Sequence, residues 1–375
     1  MRHLCGSFNK AIISRIIILF TLSCVLIFVS SCSNRGEEHI PEDPPEITEY
    51  EENEKDEDEE EEPIGPLGML TGLPIYEGYV NRRPLAVVVN NDFAALPQSG
   101  LIDADIIYEV LIEGAATRLL AVFHTQMPER VGPIRSTRYY FADMALNHDS
   151  IFIHHGGTIP GYHRVRDYGV TNLDGMALET TVFWRDRTYP AWTGIGGQRA
   201  MEHSSYSAWD RILTRLESQN MRQNLNEGDN SVFGFNFGYI PSHIQPMGNA
   251  ELITVPFSIP YSRTFTLQPD GSYLVSNPRG AHVDAETQVQ VSVQNILVQI
   301  TQKRIMAGSD YRYVDTIGSG RGYLFTNGQQ FEVAWEKTSP TSPMQWHFAD
   351  GTPLVLTPGK TWICVLQTTA TIAID

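Results

Sequence analysis

The chain has 375 residues, of which 42% are hydrophobic and 19% are charged, and its formal net charge is −17. This length accommodates two or three domains with buried cores. The negative charge is concentrated in residues 33–62, which carry −14, whereas residues 1–32 carry +3 and residues 63–375 carry −6. Proteins that bind nucleic acid usually present an excess of basic residues to the phosphates, so this balance argues against nucleic acid as a partner.

Residues 1–31 have the pattern of a secretory signal peptide. Basic residues come first, an uncharged apolar stretch runs from Ile16 to Val29, and Ser30 and Ser31 precede Cys32. Because a spanning helix needs about 20 apolar residues, the stretch favours a cleaved leader over the alternative of an uncleaved N-terminal anchor.

The sequence Val29-Ser30-Ser31-Cys32 resembles the bacterial lipoprotein box, in which the cysteine is lipidated and becomes the new N-terminus. The resemblance implies attachment to the extracytoplasmic face of the cell membrane through lipidated Cys32, and a multiply acylated cysteine anchors a protein stably. Of the four cysteines, only Cys364 then lies in the folded chain, so no internal disulfide is expected. The run WICVL around Cys364 predicts a buried strand.

Residues 32–63 form an acidic segment with almost no apolar side chains. Long runs of like charge repel one another and stay extended, so we predict a disordered tether that separates the folded chain from the membrane. The alternative is a site for calcium or a cationic partner, although the segment lacks the D-x-[DN]-x-[DN]-G pattern of an EF-hand loop.

From residue 64 to residue 225, apolar strands alternate with helical patterns, which predicts an α/β domain. The run PLAVVVN at 84–90 is apolar and β-branched, as in a strand buried on both faces. Two helices are predicted, the first capped by Ser136 or Thr137 and the second by Ser204 or Ser205. The predicted elements are strands at 84–90, 106–112, 118–125 and 151–153 and helices at 135–147 and 204–220.

Residues 226–375 are predicted to form a β-rich C-terminal domain, so the fold class is α+β overall. Asn-Gly and Asp-Gly turns between apolar runs are typical of hairpins. The glycine-rich run 318–322 lacks the Lys-Ser/Thr of a phosphate loop, so we expect a flexible turn there. The predicted strands lie at 252–258, 263–267, 287–301, 322–326, 331–336 and 361–366.

Four blocks of the folded chain resemble the YerB-like bacterial lipoproteins. They are RPLAVVVNND (83–92) with PQSGLIDADIIYEVLIEGAATRLLAVF (97–123); VGPIRSTRYYFADMA (131–145) with IFIHHGG (151–157); FWRDRTYP (183–190) with EHSSY (202–206); and NILVQ (295–299) with GSGRGYLFTNGQQFEVAWEK and TPLVLTPGKTWI near the C-terminus. The blocks span most of residues 66–366 in family order. The resemblance implies an exported, lipid-anchored protein of two parts, and it implies no reaction because none is established for the family.

Two arginines near the start of the first predicted helix are candidates for holding an anion. Arg135 and Arg138 are three residues apart and are predicted to share one helix face, where free N–H groups would add to their charge. The anions of a cell envelope include glycan carboxylates, stem-peptide carboxylates and teichoic-acid phosphates. The alternative is an internal ion-pair network of both arginines with Glu109, Glu113 and Asp143.

Carboxylates and histidines lie close to these arginines in the sequence. Glu109 and Glu113 are four residues apart and would share a face, either as an acid/base pair of the glycosidase type or as counter-charges for nearby arginines. His154 and His155 end a predicted strand before two glycines, where α/β sheets bind ligands, and one of them is expected to face the site. A zinc site drawn from His154, His163 and His203 lacks the usual ligand spacing, so neither a metal nor a cofactor is predicted.

These residues support two hypotheses of different class. The first is a binding or regulatory lipoprotein whose polar cleft holds an anionic or glycan-like ligand such as a cell-wall polymer, or which contacts an envelope protein. Arginines would take the negative charge, glutamates would orient them and histidines would donate hydrogen bonds. The second is a peptidoglycan-type envelope hydrolase that uses a glutamate or histidine of the same cleft. The predicted ligand-binding residues are Glu109, Glu113, Arg118, Arg135, Arg138, His154, Arg185 and His203.

Overall fold

The computed structural model describes residues 65–188 and 198–375. The predicted signal peptide, Cys32 and the acidic tether lie outside the described residues. No helix in the two described ranges is long and apolar enough to cross a bilayer.

The first part of the described chain combines short strands with short helices. Every residue of its first three strands is buried, which confirms the prediction that the strand at 84–90 is covered on both faces. The elements are β1 (Leu85–Asn90), β2 (Ile106–Leu111), β3 (Thr117–Phe123), α1 (Tyr139–Leu146), β4 (Ile151–His154), α2 (Ile159–Asp167), β5 (Asn172–Asp174), α3 (Gly175–Leu178), β6 (Trp184–Arg185), β7 (Ser205–Tyr206), α4 (Trp209–Ser218) and α5 (Asp229–Phe233).

Both predicted helices begin later than the sequence indicates. Helix α1 begins at Tyr139, and neither Ser136 nor Thr137 caps it. The residues before it are extended because the Arg135 N–H donates to the Val88 carbonyl and the Thr137 N–H donates to the Gly156 carbonyl. Helix α4 begins at Trp209 rather than at residue 204, because residues 205 and 206 form β7 and pair with β6. In both cases, pairing with a distant strand decides where the helix starts.

The C-terminal part is rich in strands, as predicted. The glycine-rich run 318–322 is a correction, because it forms the first five residues of a nine-residue strand and not a turn. A Cβ at Gly322 would lie 2.3 Å from the carbonyl oxygen of Val298 on the neighbouring strand, so glycine permits the strands that contain these two residues to pair closely. The strands are β8 (Asn236–Phe237), β9 (Gly248–Asn249), β10 (Leu252–Pro256), β11 (Ser262–Leu267), β12 (Tyr273–Asn277), β13 (Gly280–Ala281), β14 (Ser292–Val293), β15 (Asn295–Thr301), β16 (Lys303–Ile305), β17 (Arg312–Val314), β18 (Gly318–Thr326), β19 (Gln329–Lys337), β20 (Gln345–Phe348), β21 (Val355–Leu356), β22 (Thr361–Gln367) and β23 (Ala373–Ile374).

The main sheet has eleven strands drawn from both parts of the chain. Ten follow the order β20-β19-β18-β15-β22-β2-β3-β1-β4-β5, and β9 pairs with β19. Strand β22 pairs in parallel with both β2 and β15, and β3 runs antiparallel between β1 and β2. A second sheet of six strands has the order β13-β12-β11-β10-β23, with β14 paired to β12. Strands of both parts share the main sheet, so the sheet itself does not mark where one domain ends and the next begins. The domain boundary between residues 225 and 226 stays a prediction.

The main sheet separates two apolar clusters. Successive strand residues point to opposite faces, so Val87 of β1 belongs to one cluster and Val88 belongs to the other. The first cluster includes side chains of α4 and of the second sheet. The second cluster includes side chains of α1 and α2. Buried Cys364 of β22 belongs to the first cluster, which confirms its prediction as a packing residue.

Candidate functional site

A cleft of about 340 Å³ lies where β1 and β4 reach their carboxyl ends. In sheets with helices on their faces, ligands bind in crevices at this edge. The cleft combines cations, hydroxyl and imidazole groups and two methionines. Its lining residues are Ile134, Arg135, Ser136, His155, Gly156, Met176, Arg185, Met201 and Glu202.

The segment before α1 crosses the strand ends and positions Arg135 and Ser136. On one side, Ile134 forms a bridge with Val89 of β1. On the other side, the His155 N–H donates to the Arg135 carbonyl at 3.0 Å. The segment is therefore held between β1 and β4 by backbone hydrogen bonds, which place its side chains at the cleft independently of any helix.

Two glycines give the cleft its shape. Gly156 has a φ of +76°, a conformation that favours glycine, and its N–H donates to Asp174 Oδ1 at 2.8 Å. A Cβ at Gly175 would lie 2.2 Å from Nδ1 of His155. The absence of a side chain at Gly175 therefore allows the His155 ring to pack beside α3.

Replacing Gly175 with alanine is expected to displace the His155 ring and to lower the free energy of unfolding by about 1–3 kcal/mol, as overpacking does. Chemical denaturation measures the loss. The matched control is Gly248→Ala, since a Cβ at Gly248 meets no atom within 4 Å. Equal stability of the two variants would contradict the packing argument.

Arg118 is a buried cation that no carboxylate contacts within the described residues. It lies at the start of β3 with 4% of its surface exposed, and its Nη1 donates to the Ser136 carbonyl at 2.7 Å. Its Nε is buried without an acceptor, and Arg118 forms no ion pair in the described part of the chain. Burial, followed by the charges of Arg138 and Arg135, lowers the pKa of Arg118 to about 9, so the group is still protonated at neutral pH.

Arg135 is one of two cations that line the cleft. Its side chain is half-buried, its Nε has no acceptor, and no hydrogen bond or ion pair engages its guanidinium within residues 65–188 and 198–375. Burial lowers its pKa, and Glu202 supplies the largest opposing charge. Its guanidinium is therefore available to a ligand.

Arg138, by contrast, is already neutralised. Its Nε donates to both carboxylate oxygens of Glu113 at 3.0 Å, and its Nη2 donates to Glu113 Oε2. Burial alone would raise the pKa of Glu113, but the hydrogen bonds and charge of Arg138 outweigh burial and lower it. The ion-pair alternative thus applies to Arg138 and not to Arg135.

The histidines of the site accept hydrogen bonds from fixed donors. Arg185 Nη2 donates to His155 Nε2 at 2.8 Å, so the proton of neutral His155 lies on Nδ1 and is donated to Ser205 Oγ at 2.8 Å. Asn90 Nδ2 lies 2.7 Å from His203 Nδ1, and because Asn90 Oδ1 accepts from the Asp92 N–H, the amide donates here as well. Burial lowers the pKa of both histidines.

His154 does not line the cleft. It is fully buried, and its Nδ1 donates to the Gly156 carbonyl at 2.9 Å. The centroid of its ring lies 5.1 Å from the ring centroid of Phe152. One of the two consecutive histidines faces the site, as strand alternation predicts, but that residue is His155. Ser136 and Glu202 also line the cleft without having been predicted as ligand-binding residues.

Glu109 lies in the core, apart from the cleft. Its side chain is 1% exposed and accepts from Arg263 Nε at 2.8 Å and from Arg263 Nη2 at 2.9 Å. Trp362 Nε1, Asn91 Nδ2 and Thr117 Oγ1 donate to the same carboxylate. Glu109 therefore joins strands of the two parts of the chain, and it forms no acid/base pair with Glu113, whose partner is Arg138.

The eight predicted ligand-binding residues fall into three sets. Arg135 and Arg185 line the cleft, and Arg118, Arg138, Glu113 and His203 lie next to it, whereas Glu109 and His154 are buried elsewhere. Their role in ligand binding stays a prediction. The described residues contain no group of three or more His, Cys, Asp or Glu side chains that could hold a metal ion.

Comparisons with known proteins place the chain in a family. Residues 70–222 match the N-terminal domain of DUF3048, a protein of unknown function, and residues 253–363 match its C-terminal domain. The chain is 32% identical to "Putative lipoprotein YerB" of Bacillus subtilis (strain 168) over 304 residues, which are 79% of this chain and 85% of that protein. The chain therefore belongs to the two-domain DUF3048 family, and the resemblance to YerB-like proteins is confirmed.

A solved structure agrees with this assignment. The crystal structure of YerB from Bacillus subtilis matches with a TM-score of 0.71 at 29% sequence identity, covering 82% of this chain and 99% of that one. The fold described above is thus shared with a family member of known structure.

Proposed function

We propose that the protein is a lipoprotein anchored outside the cytoplasmic membrane through Cys32, and that its arginine-lined cleft binds an anionic ligand of the cell envelope. The name of the Bacillus subtilis relative and the pattern of residues 1–32 support the anchor. The cleft supports the binding of a phosphate or carboxylate.

The observation that carries the proposal is a pair of neighbouring arginines, neither of which forms an ion pair within the described residues. Taking a cation out of water costs several kcal/mol unless an anion compensates it. Arg118 is buried without an ion-pair partner, and Arg135, whose charge lowers the pKa of Arg118, lines the cleft. A bound phosphate or carboxylate would accept hydrogen bonds from the Arg135 guanidinium, and its negative charge would also compensate buried Arg118, which donates to the carbonyl of cleft residue Ser136.

The same contacts disfavour a hydrolase that uses these residues. A general base needs a free lone pair, and the acceptor nitrogens of His155 and His203 are occupied by Arg185 and Asn90. A general acid needs a raised pKa, whereas Arg138 lowers the pKa of Glu113. For these three residues, a role in binding is therefore better supported than a role in hydrolysis.

The test uses the mature chain carrying Cys32→Ser, which removes the proposed anchor and keeps every described residue. Isothermal titration calorimetry with glycerol 3-phosphate and with muramyl dipeptide probes phosphate and carboxylate in turn. Arg135→Gln is expected to weaken binding of the preferred anion 10–100-fold, the worth of one or two charge-assisted hydrogen bonds.

The matched control is Arg166→Gln, which removes the same charge from an exposed position on α2. The control is expected to bind like the parent chain. Equal loss in both variants, or no binding of either probe, would contradict the anion site. Release of fragments from purified peptidoglycan, followed by mass spectrometry, would instead support the hydrolase.

A further inference from the structure

The cleft presents apolar side chains directly beside its free cation. Met176 is 68% exposed and Met201 is 55% exposed, and both line the cleft together with Arg135. Met176 lies over Gly156, since a Cβ at that glycine would be 3.5 Å from Met176 Cγ. The Met201 carbonyl accepts from Arg185 Nη1 at 2.7 Å, which fixes this residue next to the polar groups.

Two exposed methionines in one cleft favour a ligand with an apolar part. A single exposed apolar side chain is ordinary on a protein surface, but flexible methionine side chains at a shared opening suit the binding of apolar chains. The cleft therefore combines a cation, Arg135, with two exposed apolar side chains, Met176 and Met201, and Arg118 lies behind Ser136.

From this arrangement, we propose that the ligand is an amphiphilic phosphate, with the phosphate at Arg135 and the apolar chain on Met176 and Met201. A phosphate offers several acceptor oxygens, which suits donors arriving from two separate guanidiniums. The inference rests on the proposed anion site and adds the apolar part of the ligand. A protein anchored at the membrane surface would meet lipid phosphates there.

The experiment compares three probes by isothermal titration calorimetry on the mature Cys32→Ser chain. Dihexanoyl phosphatidic acid below its micelle concentration carries both parts, glycerol 3-phosphate carries the phosphate alone, and dihexanoyl phosphatidylcholine carries the chains without net negative charge. Each buried CH₂ is worth roughly a fourfold gain in affinity, so phosphatidic acid is expected to bind at least tenfold more tightly than glycerol 3-phosphate. Phosphatidylcholine is expected to bind at least tenfold more weakly than phosphatidic acid.

The double variant Met176→Ser/Met201→Ser is expected to reduce the affinity ratio between phosphatidic acid and glycerol 3-phosphate from at least tenfold to near one. The control is Met247→Ser, since Met247 is 57% exposed and does not line the cleft. Equal binding of the two phosphates by the parent chain would overturn the amphiphile and leave the anion site standing. Binding of neither phosphate would overturn both, and tight binding of phosphatidylcholine would overturn the preference for a phosphate with net negative charge.

Discussion

Replacing Arg263 with methionine is expected to lower the free energy of unfolding by about 3–5 kcal/mol, because the substitution leaves a buried carboxylate without its cation. Arg263 and Glu109 are both almost fully buried, and two hydrogen bonds join them. The same arginine also donates to His282 Nδ1 at 2.6 Å. Urea denaturation of the parent chain and the variant measures the difference.

The matched control for this substitution is Arg304→Met. Arg304 pairs with Asp315 at the surface, at 3.4 Å, and exposed pairs of this kind contribute about 0–1 kcal/mol. A large difference between the two variants would show that burial of the pair, and not the loss of an arginine as such, sets the cost. A loss below about 1 kcal/mol for Arg263→Met would contradict the assignment of the pair as a structural link.

Replacing Arg118 with methionine is expected to have the opposite effect on stability, raising the free energy of unfolding by about 1–2 kcal/mol. The variant loses one hydrogen bond to the Ser136 carbonyl, but it also removes a buried charge next to Arg135 and Arg138. Its affinity for the preferred anion should fall at least tenfold. In this variant, the free energy of unfolding measured by denaturation should therefore rise, while the anion affinity measured by calorimetry should fall.

Arg138→Met provides the comparison for Arg118→Met, because Arg138 has a carboxylate partner in Glu113. Removing it should destabilise the fold, since Glu113 would lose its cation in a half-buried position. If Arg118→Met also destabilised the chain, Arg118 would be a structural residue, and the strongest support for the anion site would be lost.

The strands were predictable from the sequence because strands buried on both faces have a recognisable local composition. The runs that form β1, β2 and β3 are mostly apolar and rich in β-branched residues, as expected for strands covered on both faces, although β2 contains Glu109 and β3 contains Arg118. The start of α1 was not predictable, because it depends on backbone pairing of Arg135 and Thr137 with residues of β1 and of the turn after β4. A residue that is extended for tertiary reasons carries no local signal of its own.

The location of the candidate site was predictable from the sequence, but which residues line it was not. Arginines near a helix start and histidines at a strand end indicated the edge of the sheet where the candidate cleft lies. The choice between His154 and His155 depends on the face each side chain takes, and a shift of one residue reverses it. The partner of Glu109 is 154 residues away in the sequence, so only the folded sheet shows that this carboxylate belongs to the core. Gly175 was a usable clue, because a glycine at a helix start often permits a close approach.

The position of β22 has a consequence for how the main sheet closes. This strand pairs with both β2 and β15 in the interior of the sheet, and Thr361 of β22 lies opposite Ile106 of β2, far away in the sequence. Without β22, β2 and β15 would each present an open edge, and the sheet would be divided in two. Pairing over such a long stretch of chain is slow, so the joining of the two halves of the sheet is expected to be a late step in folding.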